Sequence, residues 1–189
     1  MELTDRFYEA LDFAARAHRG QERKSHGVPY VAHLLAVASL VMEHGNTEDE
    51  AIAALLHDAI EDRGGDGMRQ EVRERFGPTV VDIVDGCTDT DITPKPPWRP
   101  RKEAFLAGLR TASASVMLVC AADKLHNARC LLADVRTSGD AVWKRFGGRK
   151  EGSLWYYRTA ADILAERLPC ELTVELCSVV EAVEAEARA

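Results

Sequence analysis

The chain has 189 residues, of which 46% are hydrophobic and 29% are charged; this excludes a disordered or collagen-like protein and favours one globular domain over residues 1–189. A formal net charge of -7 argues against a nucleic-acid partner, since non-specific binding needs an excess of Lys and Arg. No apolar run is long enough for a membrane span and the acidic N-terminus does not have the pattern of a secretory signal, so we expect a cytoplasmic protein with no membrane partner.

Helical periodicity and helix punctuation run along most of the chain and predict an all-α, single-domain bundle of about 8–10 helices. Thr47 and Glu50 form a capping box, which marks one helix start. Residues 88–100 contain four prolines and predict a loop inside the domain. In chain order, the predicted helices span residues 3–18, 29–44, 48–61, 67–76, 78–86, 101–111, 114–134, 139–146, 150–168 and 171–187.

Two further expectations concern helix packing and the cysteines. The helix at 114–134 is apolar on most sides in its first half, which predicts a central position in the bundle. The five cysteines include no CxxC pair, and we expect reduced, buried thiols rather than a disulfide framework.

The strongest chemical signal is the segment 57–62, HDAIED, at the end of the apolar run 51–56. On one continuous helix His57 and Glu61 would be i, i+4 neighbours, as would Asp58 and Asp62. An unpaired buried charge is costly, so these groups need a shared partner. From this segment alone, a charged helix end with a satisfied histidine is an equally good interpretation.

Two other residues favour a functional site over a charged helix end, because they lie on separate apolar helices. His33 lies in the helix at 29–44, and Asp123 interrupts the helix at 114–134. With His57 and Asp58 they form a set of two imidazoles and two carboxylates, which suits Mn²⁺, Fe²⁺, Ni²⁺ or Zn²⁺. We expect His126, three residues after Asp123, to serve packing.

The order H…HD…D on helices resembles the HD superfamily of metal-dependent phosphohydrolases. A longer pattern over about residues 5–165 is similar to the Rel/SpoT-type alarmone hydrolase domains, most of all to the stand-alone small alarmone hydrolases. The matching segments are RK at 23–24, GVPY at 27–30 with His33, HDxxED at 57–62, CTD at 87–89 and ADKLHN at 122–127.

This resemblance implies an HD-type fold and a role for each matching residue. The metal ligands would be His33, His57, Asp58 and Asp123, with Mn²⁺ as the first candidate ion. Glu61 and Asp62 match the pair that orients and activates water. Residues matching substrate contacts are Arg23, Lys24 and Asn127, with Tyr156 or Tyr157 lining the nucleotide pocket.

Four basic residues fall within eight positions at the end of the Pro-rich segment, which favours a second phosphate-binding edge over a solvated loop. They are Lys95, Arg99, Arg101 and Lys102. The glycine-rich segment 147–152 does not match the GxxxxGK[ST] pattern of a phosphate loop and is predicted to join two helices at the pocket mouth. The segments 87–99 and 143–157 depart from the family pattern, and we expect them to shape the base and phosphate pocket.

These features predict a metal-dependent hydrolase that removes the 3′-pyrophosphate from a guanosine or adenosine alarmone, a small phosphorylated nucleotide. One alternative is an HD phosphohydrolase for a nucleoside 3′-phosphate or a phosphorylated dinucleotide. Another is a catalytically silent nucleotide-binding regulator, which would not need the acid pair of the HDxxED segment. A purely structural bundle would not explain metal-type residues on three helices, and the pattern carries no signal for an oligomeric state.

Overall fold

The computed structural model describes residues 1–23 and 27–188, and its regular structure is helical. Within these ranges the only strand-like pairing is an isolated bridge between Glu22 and Pro29, so the predicted all-α class is confirmed. The helices are α1 (Asp5–Ala17), α2 (Val31–His44), α3 (Glu48–Leu56), α4 (Ala59–Arg63), α5 (Gly65–Phe76), α6 (Pro78–Cys87), α7 (Trp98–Leu109), α8 (Ala114–Ser138), a 3₁₀ helix (Gly139–Arg145), α9 (Arg149–Arg167) and α10 (Glu171–Arg188).

Helix α8 lies at the centre of the bundle, as its apolar pattern predicts. It packs against α2, α3, α6, α9 and α10, and the side chains of its first half are largely buried. Asp123 lies near the middle of this 25-residue helix. The central position therefore brings Asp123 towards α2 and α3.

Small residues allow α3 to sit deep among its neighbours. Ala51, Ala53 and Ala54 have no exposed surface, and α3 packs against α1, α2 and α6. Because these side chains occupy little volume, the surrounding helices approach closely, and the C-terminal end of α3 at His57 is buried as well.

The N-terminal end of α3 is fixed by Glu50, and the predicted capping box with Thr47 is confirmed. Glu50 Oε2 accepts hydrogen bonds from the backbone N–H groups of Asn46 and Thr47, at 3.0 and 3.1 Å. The Ser115 hydroxyl donates to Glu50 Oε1 at 2.8 Å. Burial acts to raise the pKa of Glu50, but these hydrogen bonds outweigh it and lower the pKa. An ionised carboxylate thus joins the start of α3 to the start of α8.

The prediction of one helix over 48–61 is wrong, because the chain leaves the helical path between Leu56 and Ala59. The Nδ1–H of His57 donates to the Ala54 carbonyl at 2.8 Å. In a continuing helix that carbonyl would accept the N–H of residue 58. His57 and Asp58 therefore lie in a bend, and the acid pair Glu61 and Asp62 belongs to a separate short helix.

The predicted loop at 88–100 is too long, because α7 begins at Trp98 rather than at 101. Pro97 precedes the helix and Pro100 lies in its first turn, where the N–H groups have no intrahelical acceptor and a proline costs no hydrogen bond. The earlier start places Trp98 and both Arg101 and Lys102 on one rigid element.

Two other expectations can be compared with the described residues. The five cysteines are free thiols, as predicted, although only Cys120 is fully buried. None of the described helices combines the length and apolar character that crossing a membrane requires.

The close approach of α6 and α8 depends on Gly86. A Cβ at this position would lie 2.5 Å from Val116 Cγ2, and the branched Val116 side chain has little freedom to move away. We expect Gly86→Ala to lower the free energy of unfolding by about 1–3 kcal/mol through overpacking. Denaturant unfolding measures this difference.

Gly108→Ala is the matched control, because a Cβ at Gly108 in α7 would have no neighbour within 4 Å. Alanine is the better helix former, so this variant should be as stable as the wild type or more stable by about 0.5–1 kcal/mol. Equal stability of the two alanine variants would contradict the steric role of Gly86.

Candidate metal centre and active site

Three segments of the bundle bring two imidazoles and two carboxylates together. His33 comes from the first turn of α2, His57 and Asp58 from the bend after α3, and Asp123 from α8. His33 Nε2 lies 3.2 Å from Asp123 Oδ1, and His57 Nε2 lies 3.0 Å from Asp58 Oδ2. His33, His57 and Asp123 are 1%, 2% and 8% exposed.

The ligand atoms of His33, His57 and Asp58 all lie within 4.8 Å of one another, so these three residues could hold one ion. Asp123 Oδ1 lies 3.7 Å from His57 Nε2, beside that group. The four predicted ligands, which come from α2, the bend after α3 and α8, are therefore neighbours in the fold. That they bind a metal as a set of four stays a prediction.

The hydrogen bonding of His57 supports a metal at this position. Its Nδ1 donates to the Ala54 carbonyl, so in the neutral ring Nε2 carries the lone pair. Nε2 is buried, and its polar neighbours are carboxylate oxygens, Asp58 Oδ2 at 3.0 Å and Asp123 Oδ1 at 3.7 Å. A lone pair facing two carboxylates is unfavourable, and a divalent ion would satisfy all three groups. The nitrogen and oxygen donors present fit such an ion.

His126 orients the second imidazole, a role that sequence reasoning missed. Its Nδ1 lies 2.8 Å from Nδ1 of His33. Burial is the largest cause that lowers the pKa of His126 to about 4, and the charge of Arg23 acts in the same direction. A neutral His126 can accept the Nδ1–H of His33, which leaves the Nε2 lone pair of His33 facing the carboxylates. The i, i+3 spacing from Asp123 was the available signal.

Tyr30 orients Asp58, and sequence reasoning gave it no such role. Its hydroxyl donates to Asp58 Oδ2 at 2.6 Å, and its ring stacks on His18 with centroids 5.1 Å apart. Burial and the Asp58 charge raise the pKa of Tyr30, so the hydroxyl keeps its proton. Tyr30 precedes His33 by three residues, a spacing that could have placed it near the site.

The charges at the centre stabilise one another. Burial opposes the charged form of each group, but the neighbouring carboxylates Asp58 and Asp123 outweigh it and raise the pKa of His57 well above its usual range. The pKa values of Asp58 and Asp123 fall well below theirs despite burial, because His57 and, for Asp123, Lys124 lie close by. The two carboxylates therefore favour the protonated form of His57.

Two of the predicted substrate contacts, Arg23 and Asn127, form a hydrogen-bonded chain to Asp123. Arg23 Nη2 donates to Asn127 Oδ1 at 2.8 Å, and Asn127 donates its side-chain N–H to Asp123 Oδ1. Lys124 donates to the other oxygen of Asp123, Oδ2. Lys24, the neighbouring predicted contact, lies outside the described residues.

The acid pair of α4 is held by groups from two other segments, the loop before α7 and the segment after α1. Glu61 Oε1 accepts from Lys95 Nζ at 2.7 Å, and Oε2 accepts from the backbone N–H of Asp89 at 3.2 Å. The side-chain amide of Gln21 donates to Asp62 Oδ2 at 2.8 Å. These contacts fix the direction of both carboxylates.

Asp89 organises the basic edge and was not singled out as a site residue. Its Oδ2 accepts from Lys102 Nζ at 2.6 Å and forms an ion pair with Arg101. Burial and the nearby charges of Lys124 and Arg101 lower the pKa of Lys102 to about 7, so its ammonium is only partly charged at neutral pH. Of the other two basic residues, Lys95 binds Glu61, whereas Arg99 lies 3.4 Å over the Trp155 ring.

A cavity of about 580 Å³ joins these parts. It is lined by the carboxylates of Asp58 and Asp123, while the imidazoles of His33 and His57 lie behind them. The sequence predicted that Tyr156 or Tyr157 lines the pocket, and both line this cavity. The remaining predicted residues on its wall are Glu61, Asp62, Arg23, Arg101, Lys102, Asn127, Tyr156 and Tyr157.

Residues 10–153 match the HD domain family. The chain belongs to this family. The HD-domain chain is 40% identical over 126 residues to the human guanosine-3′,5′-bis(diphosphate) 3′-pyrophosphohydrolase MESH1, a match covering 65% of this chain and 68% of the human protein.

Two further comparisons agree with that assignment. A guanosine-3′,5′-bis(diphosphate) 3′-pyrophosphohydrolase of Haemophilus influenzae is 39% identical over 124 residues, covering 62% of this chain but only 17% of that longer protein. A solved structure described as a metazoan ortholog of SpoT that hydrolyzes ppGpp superposes with a TM-score of 0.79 at 27% identity, over 96% of this chain and 97% of the other.

Metal affinity should increase with pH, because the proton on His57 must leave before Nε2 can bind an ion. Each proton released strengthens binding by up to about tenfold per pH unit below the pKa. Calorimetric titration of the metal-free protein with Mn²⁺ at pH 6 and pH 8 measures the change, and buffers of different ionisation enthalpy report the protons released. Affinity independent of pH, or full occupancy in His57→Ala, would contradict the role of His57.

Proposed function

We propose that this HD-domain protein is a metal-dependent hydrolase that removes the 3′-pyrophosphate from a guanosine or adenosine alarmone. The observation that carries the proposal is one cavity in which a metal-type donor set, a fixed acid pair and a basic edge face one another. The activity named for the human and bacterial relatives supports it.

The ion would be held by His33, His57 and Asp58, with Asp123 as the fourth ligand. Mn²⁺ is the first candidate, and Fe²⁺, Ni²⁺ and Zn²⁺ suit the same donors. When bound, such an ion polarises a phosphoryl oxygen and makes water more acidic. His126 and Tyr30 hold His33 and Asp58 in the orientation that this binding needs.

Glu61 and Asp62 would act on the attacking water, since their carboxylates line the cavity beside Asp58. Glu61 has both oxygens engaged by Lys95 and Asp89, which sets its direction towards the cavity. A carboxylate in this place can accept the proton that water loses during attack on phosphorus.

The phosphates would lie against Arg23 and the edge formed by Arg101 and Lys102. A guanidinium binds two phosphate oxygens at once and an ammonium supplies a compact charge. Asp89 holds Arg101 and Lys102 in place before substrate arrives, which reduces the conformational entropy lost on binding.

The identity of the first product tests the reaction. Attack at the phosphorus bonded to the 3′ oxygen releases intact pyrophosphate, whereas stepwise removal releases orthophosphate. We expect pyrophosphate as the initial product in a Mn²⁺-supplemented assay free of pyrophosphatase, analysed by chromatography. Orthophosphate as the first product would overturn the proposal in favour of a general phosphatase, and an intact alarmone would overturn it as well.

Glu61→Gln and Asp62→Asn separate catalysis from metal binding. Each keeps the size of the side chain and removes its charge, so we expect metal content and thermal melting to hold while kcat falls about 10²–10⁴-fold. The control is Asp82→Asn, an exposed carboxylate on α6 outside the cavity lining. Wild-type kcat in both acid-pair variants would refute their role, and loss of the ion would place them among the ligands.

A further inference from the structure

A buried histidine at the C-terminal end of α1, His18, has no assigned part in the proposed chemistry. It caps the helix, and its backbone N–H donates to the Ala14 carbonyl at 3.1 Å. The residue is only 3% exposed. Burying a polar ring is costly unless its polar atoms are used, so the contacts of this ring indicate what it holds in place.

A tight turn after α1 brings Gln21 back to His18. The Gln21 backbone N–H donates to the His18 carbonyl at 3.0 Å, and Gly20 within the turn has a φ of 75°, which favours glycine. The Gln21 carbonyl then accepts the backbone N–H of Tyr30 at 2.9 Å. Backbone hydrogen bonds therefore fix the positions of His18, Gln21 and Tyr30 relative to one another.

The side chain of Gln21 joins His18 to the acid pair. His18 Nδ1 lies 2.9 Å from Gln21 Oε1, and Gln21 Nε2 donates to Asp62 Oδ2 at 2.8 Å. An ionised carboxylate only accepts hydrogen bonds, so the amide nitrogen of Gln21 must face Asp62 and the amide oxygen must face His18. His18 Nδ1 therefore carries a proton and donates it to Gln21.

Burial keeps the His18 ring neutral. It lowers the pKa of His18, although the hydrogen bond to Gln21 and the charges of Asp58 and Asp62 act to raise it. With the proton on Nδ1, the buried Nε2 has no hydrogen-bond partner among the described residues. An unpaired buried nitrogen lowers stability, so packing alone does not favour a histidine at this position.

The face of the His18 ring acts on the metal side of the site through Tyr30. The two rings are stacked, with centroids 5.1 Å apart and planes 13° from parallel. His33 meets the same phenol edge to face at 5.6 Å. Two imidazoles thus confine Tyr30, whose hydroxyl donates to Asp58 Oδ2 at 2.6 Å. Removing the His18 ring would leave a space into which the phenol can move, away from Asp58.

We propose that His18 is a positioning residue for both parts of the site: its ring holds Asp58 through Tyr30, and its Nδ1–H holds Asp62 through Gln21. The proposal rests on the proposed function, since it takes Asp58 as a metal ligand and Asp62 as a group that acts on water. The two carboxylates lie in different elements, the bend after α3 and helix α4, and one buried ring fixes the direction of both.

Two replacements of His18 separate its ring from its N–H. His18→Phe keeps a flat ring against Tyr30 and removes the donor, whereas His18→Asn keeps an amide N–H near the position of Nδ1 and removes the ring. We expect His18→Phe to lower kcat about tenfold with Mn²⁺ affinity within about twofold of the wild type, and His18→Asn to weaken Mn²⁺ binding about tenfold with kcat at saturating Mn²⁺ within about twofold. Calorimetric titration with Mn²⁺ and alarmone turnover measure the two quantities.

Variants of the linking residues test the same branches if a His18 variant does not fold. Gln21→Met should lower kcat alone, and Tyr30→Phe should weaken Mn²⁺ binding. The double variant His18→Phe/Gln21→Met should have the kcat of Gln21→Met, because both changes break one chain of hydrogen bonds. The control is His44→Asn, at the end of α2 and outside the cavity lining, which should change neither quantity.

Equal losses of kcat and Mn²⁺ affinity in the two His18 variants would make His18 a purely structural residue and overturn the proposal, as would additive kcat losses in the double variant. If the wild type leaves the alarmone intact, the proposed reaction is overturned, and weaker Mn²⁺ binding by His18→Asn than by His18→Phe still supports the positioning role. If the wild type releases pyrophosphate and the two His18 variants behave alike, the reaction stands and the positioning role is overturned.

Discussion

The mutual compensation of buried charges between α2, α8 and the bend after α3 is the interaction on which this structure depends. His57 and Asp123 are almost fully buried, and neither could remain charged there alone. Each carboxylate lowers the cost of a protonated imidazole, and each imidazole holds a carboxylate ionised. An ion placed among the same atoms would replace the proton as the compensating charge.

Single hydrogen bonds orient the side chains of this centre. The Ala54 carbonyl accepts the His57 imidazole, so α3 ends where the site begins and a short second helix carries the acid pair. Tyr30 and His126 act in the same way on Asp58 and His33, each with one hydrogen bond. None of these contacts adds a charge; each selects the orientation in which a charged or metal-binding atom faces the centre.

The cavity wall also contains a residue that holds other side chains in position. The Asp89 carboxylate binds both Arg101 and Lys102, and its backbone N–H donates to Glu61. Beyond them the Pro-rich and glycine-rich segments meet at Trp98. Segments that differ in composition from the rest of the chain thus form this wall of the cavity.

The sequence by itself determined the helical class, the capping box at Thr47 and the set of His and Asp residues, because periodicity, caps and polar residues in apolar runs are local properties. The break at His57, the start of α7 at Trp98 and the roles of Tyr30, His126 and Asp89 were decided only by the tertiary structure. Each depends on a partner distant in sequence or on a side chain competing for a backbone carbonyl. Helical spacing ranks neighbours on one helix, but it contains no information on which residues of other helices face them.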